Sequence, residues 1–370
     1  MRGTAPLNVV EQIAVNKLLF ACALLGPLGM ARAVTDVTCL RVAVPVAITS
    51  TKSLAYTVSG ELCATALEKR AGTTVQVLIH GATYNYDYWD FDRIDGIEYS
   101  YARDVAGSGF ATFAYDALGS GDSSHPPSDQ LTIEAAADVA HQIVEALRAG
   151  SVGGVPFGRV VLVGHCLGAV VAWQEAIRYA DVDGLIVTGA AHALSGFLQA
   201  AELFYPAVSD PAFAGSGLDP GYLTTAPGDR ATLFYNDPQS DPVGGASDEA
   251  FKDVVPAVEL TSSYQLVASA ATLAIHVPVL TILGSDDLPI CGSSPKDFDC
   301  SSAAAVVAQE APFYSAEARI SACVIPGSGH AISLSPNHRL QALDAVAWSY
   351  AFIGQSGQST GRELPSNCRW

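Results

Sequence analysis

Positive charge is scarce in this chain. Nineteen lysines and arginines stand against 37 aspartates and glutamates, a formal net charge of −18 with pI near 4.6. No basic surface can neutralise phosphates or anionic headgroups, so nucleic acid and a membrane surface are excluded as expected partners. Beyond the first 33 residues there is no stretch of 18 uninterrupted apolar residues, the length a spanning helix needs. None of the six asparagines begins an N-x-S/T acceptor. Neither G-x-x-x-x-G-K-S/T nor G-x-G-x-x-G occurs, so no phosphate cradle is expected. The acidic residues Asp286, Asp287, Asp297 and Asp299 have no histidine at a useful ligand spacing, so neither a metal nor another cofactor is expected.

What is present is a globular composition, 49% hydrophobic and 15% charged. At the N-terminus, Arg2 and Lys17 precede an apolar run from Leu18 to Met30, which ends at Ala31-Arg32-Ala33. Basic start, apolar run and A-x-A site read as a signal peptide over residues 1–33, and hence as a secreted or periplasmic protein. The eight cysteines agree with an oxidising compartment. Cys22 would leave with the signal. Of the remaining seven, the pairs 39–63, 291–300 and 323–368 are preferred among 15 possible pairings of six cysteines. Cys166 is left over.

Apolar β-branched runs alternate with helical patterns. Thr74–His80, Ala111–Asp116, Arg159–Gly164, Gly184–Thr188, Pro278–Leu283 and Ala322–Ile325 read as strands. Leu131–Ala149 and Leu167–Tyr179 read as helices. Continuous apolar strands between helices predict an α/β fold whose mostly parallel sheet is covered on both faces. The alternation breaks over residues 193–263, a Pro-, Gly-, Asp- and aromatic-rich stretch expected to form an inserted lid. The domain expectation is therefore core over 34–192, lid over 193–263 and core again over 264–370, with a disulfide-tied tail.

The strongest chemical signal is Gly164-His165-Cys166-Leu167-Gly168, directly after a strand and directly before a helix. It is a G-x-S-x-G nucleophile elbow with Cys in place of Ser. The helix N-terminus aimed at Cys166 favours a thiolate and any oxyanion formed beside it. Downstream, Gly284-Ser285-Asp286-Asp287 follows one strand and Gly327-Ser328-Gly329-His330 follows another, in the order nucleophile, acid, histidine.

With His80-Gly81 and the turn from Asp116 to Gly121, these motifs make residues 74–353 resemble the α/β-hydrolase fold superfamily. The resemblance implies Cys166 as nucleophile, His330 as general base and Asp287, in preference to Asp286, as orienting acid. It implies an oxyanion hole from the N–H groups of Leu167 and Ala82. His80 is expected to be structural and His165 to support the turn. Tyr84 and His192 are candidate substrate contacts. Aromatics of the lid (Phe197, Phe204, Tyr205, Phe213, Tyr222, Phe234 and Tyr235) and of the segment after the oxyanion loop suggest an apolar, aromatic-lined pocket for a small-molecule substrate.

The reaction expected is hydrolysis of an ester, thioester or lactone through an acyl-cysteine. Dienelactone hydrolase, a relative with Cys at the elbow, offers a chemical analogy, although its closer sequence pattern is missing here. Two other readings stand beside it: a lyase or cyclising acyltransferase of natural-product assembly on the same scaffold, and a degenerate hydrolase kept for binding.

Overall fold

A computed structural model describes residues 36–48, 54–67, 70–94, 96–193, 203–235, 243, 246–292, 297–354 and 365–370. The expected signal segment 1–33 and the expected pocket residue Phe197 lie outside them. Among the described residues, no helix is long and apolar enough to cross a membrane.

A nine-stranded sheet organises the chain. Its strands are β1 (Val37–Val46), β2 (Tyr56–Thr65), β3 (Thr74–Ile79), β4 (Ala111–Tyr115), β5 (Arg159–His165), β6 (Gly184–Thr188), β7 (Val279–Gly284), β8 (Ser321–Ile325) and β9 (Cys368–Arg369). They are ordered β1-β2-β4-β3-β5-β6-β7-β8-β9. The run from β4 to β8 is parallel, while β1, β2 and β9 pair antiparallel with their neighbours. Every residue of β3, β4, β6, β7 and β8 is buried, which explains why these strands read as unbroken rather than alternating apolar runs.

The helices cover both faces. They include α1 (Tyr101–Gly107), α2 (Ile133–Ala149) and α3 (Leu167–Tyr179). Thr132 caps α2 by accepting the Ala135 N–H at 3.3 Å, and Gly150 ends it in the left-handed region at φ +74°.

Between β6 and β7 the chain leaves the sheet. It forms a small antiparallel sheet of Phe204–Pro206, Tyr222–Thr225 and Val255–Pro256, the short helix α4 (Asp229–Phe234) and the longer α5 (Ala257–Val267). The boundary expected at Ser263 falls inside α5, so the excursion runs on to the return into β7. Then follow α6 (Ala303–Glu310) and α7 (His338–Trp348).

Three disulfides form: Cys39–Cys63, Cys291–Cys300 and Cys323–Cys368. Two of them join directly opposite residues of antiparallel strand pairs, β1 with β2 and β8 with β9. Cys166 is free. The Cys323–Cys368 bridge spans 45 residues. Closing a loop of that size removes denatured-state entropy worth roughly 4 kcal/mol in the chain-entropy picture. The double variant Cys323→Ala/Cys368→Ala is therefore expected to lose about 2–4 kcal/mol in chemical denaturation. An unchanged midpoint and slope would show that the tail contributes nothing to the sheet.

Candidate active site

The elbow is built by close backbone packing. Cys166 sits between β5 and α3 at φ +53°, ψ −118°, a conformation costly for a residue with a side chain. Its neighbours make room. A Cβ on Gly164 would come within 2.3 Å of the Gly168 carbonyl oxygen, and one on Gly168 within 2.3 Å of the Ile79 carbonyl oxygen. Only hydrogen fits at both positions. The Cys166 N–H donates to the Thr188 carbonyl at 2.8 Å, and its carbonyl accepts the Ala169 N–H at 3.0 Å. The turn is thereby fastened to β6 and to its own helix. Cys166 remains partly exposed.

His330 arrives from the turn after β8 and is 2% exposed. Its Nδ1 lies 2.9 Å from Oδ1 of the fully buried Asp287, and its ring is close enough to the Cys166 thiol for the two groups to interact electrostatically. Burial disfavours the charged ring. Asp287 and Cys166 outweigh it, and the pKa is pushed up to about 10. Cys166, His330 and Asp287 are thus brought together.

Asp286 is turned away. It is exposed, and its carboxylate accepts the Ser285 hydroxyl at 2.6 Å. The acid and histidine turns are tied together: Ser285 N–H reaches the Ile325 carbonyl at 3.0 Å, Asp286 N–H the Ser328 carbonyl at 3.0 Å, and Gly327 N–H the Ser285 hydroxyl at 2.8 Å. Cys291, held by the Cys291–Cys300 bridge, donates its N–H to the Asp287 carbonyl at 2.6 Å.

The backbone N–H groups of Ala82 and Leu167 have no acceptor among the described residues, as anion donors require. Both residues line a cavity beside the elbow. The Ala82 turn is braced from several directions. Tyr84 N–H returns to the Gly81 carbonyl at 3.3 Å. Asp116 accepts the Tyr86 N–H at 2.8 Å, and its burial pushes its pKa up to about 6. His80 is structural, as expected: Nδ1 lies 2.9 Å from the Gly81 carbonyl, while Nε2 meets the Ala117 N–H at 3.0 Å and the Ser120 hydroxyl at 3.1 Å. His165 is fully buried, stacks on Tyr88 with ring centroids 4.2 Å apart, and has Nδ1 3.2 Å from the Thr188 hydroxyl. Burial and the nearby His330 lower its pKa, so it stays neutral.

Two sequence expectations are corrected here. His192 does not face the elbow. Its Nδ1 pairs with Glu310 at 2.8 Å, its Nε2 with Thr272 at 3.0 Å, and its ring lies between Trp173 and Phe313. The loop after β6 has turned it toward α6, leaving neither nitrogen for a substrate. Tyr84 is also a packing residue, 5% exposed, with its ring under the Arg230 guanidinium at 4.3 Å and against Tyr88 and Phe234. The expected aromatic lining is likewise absent from the cavity at Ala82 and Leu167. Its walls are chiefly aliphatic, with Tyr115 the aromatic that reaches it.

Sequence reasoning missed Arg230 and named Phe234 only among the aromatics of the insertion; both lie on α4. Arg230 is 1% exposed and pairs with Asp248 at 2.8 Å. It also donates to the Thr83 hydroxyl at 2.7 Å and the Thr83 carbonyl at 3.2 Å. Thr83, at φ +60°, directly follows the anion donor Ala82. Asp253 N–H bonds the same carbonyl at 2.9 Å. Phe234 stacks on His330 with ring centroids 5.5 Å apart and accepts the Ala331 N–H at 2.9 Å. One short helix therefore braces both the turn at Ala82-Thr83 and His330. A signal existed only in the charges: Arg230 and Asp248 stand in an otherwise aperiodic stretch.

The comparisons with known proteins agree with this architecture. Residues 76–343 match the family described as "Alpha/beta hydrolase family". No curated protein sequence matches the chain. Among solved structures, a putative lipase from Acinetobacter baumannii superposes with a TM-score of 0.53 at 14% identity, covering 86% of this chain and 93% of its own. A putative aryl esterase from Burkholderia cenocepacia gives 0.52 at 16% identity, covering 85% and 99%. A thermophilic esterase from Thermogutta terrifontis gives 0.51 at 19% identity, covering 84% and 97%.

Two expected outcomes follow from this geometry. Because the His330 pKa lies above its ordinary 6.5, its pairing stabilises the fold fully below about pH 6.5 and loses that contribution as pH rises toward 10. Denaturation from pH 6 to 10 should show this decline in the wild type and a flatter profile in Asp287→Asn. Identical profiles would contradict the pairing. Arg230→Met should lower turnover about 10²-fold through loss of the Ala82 donor's placement, the scale of one oxyanion contact. Steady-state kinetics checks it, and full activity in a folded variant would leave Arg230 a stability residue alone.

Proposed function

The chain belongs to the alpha/beta hydrolase family, and we propose that it hydrolyses an ester, thioester or lactone through an acyl group carried on Cys166. The observation that carries this reading is the single line of contacts from Cys166 through His330 to Asp287, beside two unengaged N–H donors. The presence of one free thiol, when the other six described cysteines are all bridged, fits a nucleophile kept apart from the structural pairs.

In this mechanism His330 carries its proton at rest, as its raised pKa favours, and the α3 N-terminus faces the Cys166 sulfur. The Cys166 sulfur attacks the carbonyl carbon, and the carbonyl π electrons move to oxygen. Ala82 and Leu167 N–H groups hold that oxyanion. As the oxyanion collapses, the bond to the leaving group breaks and His330 gives the departing alkoxide or thiolate its proton. A water then attacks the acyl-cysteine, with His330 taking one of its protons as general base. The second collapse releases the carboxylic acid and returns the thiolate and imidazolium. Asp287 fixes the ring orientation and stabilises the imidazolium throughout.

Three bridges in the chain accord with an oxidising compartment, and residues 1–33 supply the export signal in this proposal. The excursion between β6 and β7 acts as the lid.

Intact mass spectrometry with a panel of activated esters and lactones tests the reading. The wild type should gain one acyl mass, mapped to Cys166. Cys166→Ala and His330→Ala should gain none, and Cys166→Ser should keep activity changed about 10- to 1000-fold. In ¹⁸O-water the acid product should carry label. An unsaturated, unlabelled product formed by the wild type would replace hydrolysis with elimination.

A further inference from the structure

The far end of α3 carries a group that the active site does not use. Glu175 is fully buried, and neither of its carboxyl oxygens accepts a hydrogen bond from a donor among the described residues. Buried carboxyls are ordinarily kept with partners, because leaving water costs them heavily. What faces this one is another carboxyl, that of Asp181 from the loop after α3. Burial and that carboxyl push the Glu175 pKa up to about 9. Asp181 is half-buried, and its Oδ1 has no donor either.

The third member is His141 of α2. Its Nδ1 lies 2.8 Å from Asp181 Oδ2 and 4.0 Å from Glu175 Oε1, yet it makes no aligned hydrogen bond. Its other nitrogen, Nε2, is turned to Glu145 of the same helix at 3.7 Å. A proton on that side leaves the Nδ1 lone pair free, as in metal-bound imidazoles whose second nitrogen faces a carboxylate. Tyr179 stacks flat on the ring with centroids 3.7 Å apart, and the Tyr179 hydroxyl is held by Asp138. The basic side chains beside the cluster are committed elsewhere. Arg148 donates to Asp183 at 2.8 Å and to the Asp181 carbonyl at 2.6 Å, and Arg178 pairs with Asp138 at 3.0 Å.

Two carboxyls and one imidazole nitrogen thus bring their ligand atoms within 4.8 Å of one another. We propose that His141, Glu175 and Asp181 bind a divalent transition-metal cation of the zinc type. Once ionised, the two carboxylates carry the charge that one such ion cancels. Tetrahedral ligands at about 2.0 Å from zinc stand about 3.3 Å apart. The separations of 2.8 and 4.0 Å lie on either side of that value. An imidazole ligand argues against calcium and magnesium, which take oxygen, and the lack of a thiolate argues against copper(I). The half-exposed edge at His141 and Asp181 gives the ion its entry and a water its fourth place. Two other groupings contain Cys39–Cys63 and Cys323–Cys368, whose sulfurs are spent in disulfides.

The ion ties α2 to the end of α3, roughly 12 Å along that helix from its start at Leu167. It clamps the fold and takes no part in the chemistry at Cys166. The expectation of no metal weighed Asp286, Asp287, Asp297 and Asp299. The members of this cluster are joined only by the packing of α2 on α3, which no spacing in the sequence shows.

The test measures metal content and stability, not turnover. Full-length Cys166→Ala protein, free of a competing thiol ligand, is stripped with chelator, given zinc chloride and desalted. Elemental mass spectrometry should find one zinc per chain. The thermal midpoint should rise by about 5 °C with zinc at 100 times its Kd. Glu175→Gln, whose amide donates to Asp181 in place of a proton, should lose both the retained zinc and the thermal response. His141→Ala, at the half-exposed edge, should lose them too, and it decides alone if the Glu175 variant does not fold.

No retained zinc and an unmoved midpoint overturn the proposal and leave the two carboxyls sharing a proton. Zinc retained equally in the folded variants overturns it as well, because the site then lies elsewhere. So does tighter binding of calcium or magnesium chloride than of zinc chloride, since a site of that preference does not use the imidazole.

Discussion

The conformation of one residue governs this structure. Cys166 stands in a backbone region that side chains avoid, φ +53°, and is kept there by contacts too close for anything but hydrogen at Gly164 and Gly168. The turn then has one exit, directly into α3, so the thiol meets the positive end of a helix. The same closeness draws α3 against the end of β3, which carries the turn holding Ala82. The placement of Cys166 and of the Ala82 and Leu167 N–H groups is therefore set by a single packing event between β3, β5 and α3.

Everything else at the site is orientation. The histidine and acid turns come from the ends of β8 and β7, neighbours in the sheet, and are laced to each other by three backbone-centred hydrogen bonds. The insertion works from the opposite side. Its short helix α4 holds Thr83 through Arg230 and lays Phe234 on the His330 ring. A cover that touches both the anion turn and the base is coupled to each. A shift of α4 would move the two together, so the insertion helps set their relative placement.

Much of this was legible in the sequence, for definite reasons. The buried parallel strands announced themselves as unbroken apolar runs. G-x-C-x-G betrayed its turn because glycine spacing there is a steric demand. The preference for Asp287 over Asp286 came from the resemblance, whose pattern favours the fourth residue of Gly-x-x-Asp, and not from the residues alone. The insertion was legible only as a break in pattern. Arg230 carries the sign of a surface residue until Asp248 is seen beside it, and that pairing joins segments with no periodic relation. His192 misled because a histidine shortly after a parallel strand resembles a site residue, whereas the direction of its side chain depends on how the following loop turns.

Bridged and free sulfurs in one molecule confine the protein to a redox window. Too oxidising a setting threatens the free thiol of Cys166, on which the proposed chemistry depends. A setting reducing enough to protect it without limit also acts on Cys291–Cys300, which steadies the backbone around Asp287. The acid would then lose its support while the nucleophile was preserved. Under the proposed mechanism activity would lie between two failures with different origins, one covalent damage at the sulfur and the other a loosened carboxylate. Reducing agent added to revive a tired preparation takes it from the first toward the second.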